Sequence, residues 1–100
     1  MHRNRKLGMF FMVLIFFTVS VSGCCYFTGK KEMDRAEKMF ADLKAKGGQQ
    51  LVPYEYCSAE QFLENAKREA NENDWSHAGK FAVRSQSASS AGLSEIQKRK

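Results

Sequence analysis

Three thiols, Cys24, Cys25 and Cys57, and the imidazole of His77 are the side chains of this 100-residue chain best equipped for chemistry. A thiolate is both a nucleophile and a metal ligand. A structural zinc site, however, takes four such ligands, and three thiols need at least one more, which His77 could supply. His77 falls in the first turn of an expected helix, where a lone histidine reads as a solvated polar residue, so no metal site is expected. Glu60 and Glu64, four residues apart, imitate an acid/base pair on one helix face. Lys67 and Arg68 follow Glu64 at three and four residues, and such pairs support a helix by a few tenths of a kcal/mol, roughly. No nucleophile, base and orienting group can be assembled, and there is no phosphate loop and no zinc spacing. The sequence therefore predicts neither an enzyme nor a bound cofactor.

The adjacent cysteines gain meaning from what precedes them. MHRNRK carries Arg3, Arg5 and Lys6 and no acid, and Leu7 to Phe27 then runs without a charged residue. A basic n-region, an apolar h-region and a small-residue cleavage site make a secretory signal. The strongly apolar part ends near Phe17 and tapers through Thr18, Val19, Ser20, Val21, Ser22 and Gly23. Small residues in extended form fit a signal peptidase groove, and a membrane helix gains nothing from that taper. The competing expectation is an uncleaved single-span protein with a membrane-active or scaffolding role, because the uncharged run approaches the ~20 residues that cross a bilayer.

Val21-Ser22-Gly23-Cys24 resembles the lipobox of bacterial lipoproteins: an aliphatic residue, two small residues and a cysteine. The resemblance implies a diacylglycerol thioether on Cys24, cleavage between Gly23 and Cys24, and an N-acyl chain on the new terminus. Acyl chains contribute about 0.8 kcal/mol per buried CH₂, and two or more hold a protein stably on a membrane. The residue after the modified cysteine sorts such proteins, with aspartate commonly retaining them in the inner membrane. With Cys25 there, the resemblance implies an outer-membrane anchor facing the periplasm. In that oxidising compartment Cys25 and Cys57 form a disulfide, bridge two chains or stay free, and spacing does not choose among these. Removing residues 1–23 takes three cations and no acid, so the net charge falls from +5 to 5 − 3 = +2. The basic balance leaves with the signal, no basic stripe interleaved with aromatics remains, and nucleic acid is not expected as a partner.

The elements that must carry these residues read as helices. Residues 24–30 form a tether, and residues 31–91 a small helical domain. Met33, Ala36, Phe40 and Leu43 recur at helical spacing, and Gly47-Gly48 stops the first helix near Lys46. Pro53 pushes Val52 toward extended backbone, so the connector is expected to run along the helices. Ser58-Ala59-Glu60-Gln61 fits a capping box that opens a second helix with Ala59, Phe62, Leu63, Ala66 and Ala70 on its apolar face. Asn71 to Asp74 makes a polar turn, and Asp74 caps a third helix from Trp75 whose inner face carries Ala78, Phe81, Ala82, Ser85 and Ala88 or Ser89. The hairpin covers about 58–90, and 92–100 is expected to fray from Gly92 as a basic tail. The fold class is all-α: a short helix, then an antiparallel αα-hairpin, behind a signal helix.

Pro53 to Gln86 also resembles the tetratricopeptide-like hairpins of small Gram-negative envelope lipoproteins. The matching features are PYEY, Ala59-Glu60 with Phe62-Leu63 and Ala66, the Asn73-Asp74-Trp75 turn, and Ala78 with Phe81-Ala82. A tetratricopeptide unit usually has an aromatic at the place of Ala82 and alanine at that of Ser85, and superhelical peptide grooves need three or more units. The implied function is a lipid-anchored interaction or structural module whose partner is another envelope protein or a second copy. Tyr54, Tyr56 and Trp75 are the candidate contacts, with Trp75 expected chiefly to cap the hairpin core.

Overall fold

The computed structural model describes the backbone of residues 2–99 and the side chains of residues 7–14 and 25–99. It is all-α, with α1 (His2–Ala45), α2 (Gly48–Leu51), α3 (Pro53–Asn71) and α4 (Trp75–Lys98), and no strand among the described residues.

Local chemistry explains each boundary. Gly47 takes φ +79° and ends α1 in the left-handed conformation, which glycine reaches without strain. Pro53 occupies the first turn of α3, where its missing N–H costs no helical hydrogen bond. Val52 before it has φ −135° and is buried. Asn73 carries φ +61° in the turn after α3, a conformation asparagine tolerates better than most residues. Asp74 caps α4 by accepting from the backbone N–H of His77 at 3.2 Å.

Packing sets the directions. Gly29 of α1 meets Trp75 and Gly79 of α4, while Leu43 meets Gly92, so α1 and α4 run parallel. Ser85 donates to the Ala59 carbonyl at 2.8 Å, and Gly92 lies against Glu55, so α3 runs antiparallel to α4. Phe40 packs on Tyr56 with ring centroids 5.0 Å apart, and Lys67 pairs with Glu37 at 3.9 Å, so α3 is antiparallel to α1 as well. Two linked clusters make the core: Leu43, Val52, Tyr56, Ala59 and Ile96 toward one end, and Ala36, Leu63, Ala66 and Ala82 toward the other, with Phe40 touching both.

Four expectations are corrected. Residues 24–30 are not a loose tether, because α1 is continuous through them. The second helix begins at Pro53, so Ser58 and Gln61 lie inside it and form no capping box. The connector makes the short turn of α2 and does not run extended, with the backbone N–H of Val52 donating to the Gly48 carbonyl. The tail does not fray at Gly92: α4 continues to Lys98, and both Gly92 and Ile96 are buried. Burying Ile96 in the cluster with Leu43 and Val52 removes a large apolar side chain from water, which outweighs the weak helix propensity of one glycine.

Candidate functional site

Helix α1 has two kinds of surroundings along its described residues. Leu7, Met9, Phe10, Phe11, Met12, Val13 and Leu14 are all exposed, with Met12 at 73%. Among the described residues the first buried position on α1 is Gly29. A 44-residue helix extends about 66 Å, and the 76 Å length of the molecule against widths of 21 and 15 Å follows from it. The signal-like half projects beyond the bundle. Val21-Ser22-Gly23-Cys24, the proposed processing and lipidation site, lies outside the described side chains. Among the described residues no helix is long and apolar enough to cross a membrane.

Where α1 enters the bundle, a groove of about 620 Å³ opens between α1 and α4, lined by Cys25, Gly29 and Glu32 on one side and Trp75, Gly79 and Val83 on the other. Gly29 and Gly79 create it by letting the helices nearly touch: a Cβ on Gly29 would stand 2.5 Å from the Trp75 carbonyl oxygen. Trp75 is half-buried and meets Tyr26 edge to face, with centroids 4.8 Å apart. It therefore joins α4 to α1 at the end of the bundle, outside the two core clusters. Gln86 donates to both the backbone carbonyl and the carboxylate of Glu32 at 2.8 Å, which anchors that wall of the groove.

The three aromatic candidates separate. Tyr54 is 79% exposed and available to a partner, whereas Tyr56 is buried against Phe40. Tyr56 is thus a core residue, out of reach of a partner. Tyr56 shares the buried face of α3 with Ala59 and Leu63.

Cys25 and Cys57 are both free and exposed. Cys25 lies level with Trp75, while Cys57 lies between Tyr56 and Ala59, beside the later turns of α4. More than ten residues of helix separate those levels, roughly 15 Å or more, and a disulfide spans Cα atoms no more than about 7 Å apart. A bridge between these two thiols within one chain is excluded in this fold, leaving free thiols or a bridge between chains.

One cluster was not foreseen. Glu69, Asp74 and His77 bring their ligand-capable atoms within 4.8 Å of one another across the α3–α4 turn. His77 Nδ1 lies 2.7 Å from Asp74 Oδ2, and the donated backbone N–H of His77 is the leading cause that holds the Asp74 carboxyl below its ordinary value. The signal lies in the Asp74-to-His77 spacing of three. The geometry is that of a helix cap. Glu60 and Glu64 make no ion pair among the described residues.

No family model, curated protein or solved structure matches this chain.

Proposed function

We propose that this chain is a lipid-anchored envelope protein, acylated at Cys24, whose small helical bundle acts as an interaction or structural module without catalysis. The observation that carries the reading is the order of Arg3, Arg5 and Lys6, an uncharged run from Leu7, and then Val21-Ser22-Gly23-Cys24. A second observation supports it: among the described residues nothing before Gly29 is buried. A chain starting at Cys24 keeps every described core contact and sheds the exposed apolar side chains that water disfavours. Diacylglycerol and an N-acyl chain on Cys24 then supply the anchor, on the periplasmic face of the outer membrane.

Residues 24–100 number 100 − 23 = 77, a size at which one core supplies only about 3 to 5 kcal/mol. Association with another envelope protein or a second copy adds stability, and exposed Tyr54 is the contact we assign to it. We read α3 and α4 as the tetratricopeptide-like pair, in a single copy. Intact-mass analysis with membrane fractionation, comparing the unaltered protein with Cys24→Ala, tests the reading. Loss of residues 1–23 with added acyl mass supports it, and an unmodified, full-length N-terminus overturns it.

The continuity of α1 from His2 to Ala45 favours a second reading, an uncleaved single-span protein with a scaffolding role. The same mass measurement separates the two.

A further inference from the structure

Phe27, Lys30, Lys31, Asp34, Arg35 and Lys38 line a shallow depression on α1. At 3.6 residues per turn they share the side of the helix opposite Ala36 and Leu43, which are fully buried. Four cations and one acid give this face a net charge of 4 − 1 = +3. The neighbouring acids of α1 are engaged elsewhere: Glu32 accepts from Gln86 of α4, and Glu37 faces Lys67 of α3. Among the described residues Lys30, Lys31 and Lys38 form no ion pair, and Arg35 has only a 3.9 Å contact with Glu32. Phe27, 71% exposed, stands at the end nearest Cys24.

We propose that this face of α1 lies flat on the anionic phospholipid surface that holds the anchor, with α3 and α4 turned away from the membrane. The proposal rests on the membrane-anchored reading above. Charge complementarity selects anionic headgroups, and an exposed aromatic beside a basic helical face matches the boundary between headgroups and acyl chains. Length decides the posture. Phe27 to Lys38 spans about 17 Å, twice the roughly 8 Å over which physiological salt screens a charge. An upright helix would leave Arg35 and Lys38 out of reach, whereas a helix lying flat brings all four cations to the headgroups. A single lipid anchor point at Cys24 permits that tilt. An uncut span continuous with α1 does not.

The test uses the full protein as purified from membranes, reconstituted into phosphatidylcholine vesicles with or without phosphatidylglycerol. Flotation reads the anchor, and the rate at which an amine-reactive reagent modifies each lysine, followed by mass spectrometry, reads the posture. On vesicles with phosphatidylglycerol, Lys30, Lys31 and Lys38 should react at least about fivefold more slowly than on phosphatidylcholine alone. Lys67 and Lys80 should be unchanged, and high salt should remove the difference. Flotation with Lys38 as reactive as Lys67 on both vesicles overturns the flat posture and leaves the anchor standing. Equal protection on both vesicles overturns the electrostatic basis. Failure to float with either composition overturns the anchor and this proposal together.

Discussion

Ser85 and Ser89 lie one turn apart on α4 and both are fully buried, but their hydroxyls differ in circumstance. Ser85 donates to the Ala59 carbonyl at 2.8 Å, whereas the Ser89 hydroxyl has no hydrogen-bond partner among the described residues. A buried hydroxyl without a partner keeps its desolvation penalty. Ser85→Ala should therefore cost about 1 kcal/mol, while Ser89→Ala should be neutral or stabilise by up to about 1 kcal/mol. Urea titrations of the two variants check the opposite signs. Asp74 supplies a pH prediction. Its carboxyl is held below its ordinary value chiefly by the His77 backbone N–H, so its stabilising contribution is present above the unfolded-state value. That contribution is lost as pH falls through the lowered folded value. Asp74→Asn keeps a capping oxygen without the titration, and its stability should fall less steeply on acidification than that of the unaltered protein. Ser85 and the Asp74 cap were legible from spacing, whereas spacing left Ala88 and Ser89 as alternatives for the next inward position. Which hydroxyl found a partner was not, because Ala59 lies 26 residues away on another helix.

At the scale of elements, Gly29 controls how closely α1 approaches α4. Gly29→Ala would set a methyl 2.5 Å from the Trp75 carbonyl oxygen, a backbone atom that cannot swing aside. Forced separation of two packed elements costs typically about 1 to 3 kcal/mol, and the variant should show it as a lowered urea midpoint and altered Trp75 fluorescence. The end of α4 makes a second case. Ile96→Ala, at a side chain 5% exposed within the cluster of Leu43, Val52 and Tyr56, should destabilise by about 2 to 5 kcal/mol, a large share of the stability of a bundle this small. Thermal unfolding followed by circular dichroism reads that loss directly, and an unchanged midpoint would mean that the last turns of α4 carry no load. The 3.6-residue spacing of Met33, Ala36, Phe40 and Leu43 announced the buried stripe of α1, and Asn71 to Asp74 announced the turn. The start of α3 was misplaced because Ser58 to Gln61 offers a cap motif while Pro53, five residues earlier, already provides a sound helix start. The last turns of α4 were missed because Gly92, Leu93 and Ile96 mean little until Leu43 and Val52 stand opposite them.

For the molecule as a whole, the thiols report on arrangement. Cys25 and Cys57 stand near opposite ends of the bundle, so oxidation of the protein should yield disulfide-linked dimers or no bridge, and never a bridge within one chain. Non-reducing electrophoresis with peptide mapping distinguishes these, and an intrachain Cys25–Cys57 peptide would require a different packing of α1. Taken alone, the sequence determined the all-helical class, the polar turn before Trp75, the left-handed stop at Gly47 and the expectation of a processed N-terminus. These features depend on neighbours within a few residues: period, caps, turn residues and the order of a targeting segment. Only the tertiary structure decided that α1 and α4 run parallel, that Gly29 meets Gly79 across 50 residues of sequence, that Tyr56 faces inward and Tyr54 outward, and that the cations of α1 share one open face. Each of those follows from which helix faces can interlock without voids or clashes, a property of three elements packed together that no single stretch of chain contains.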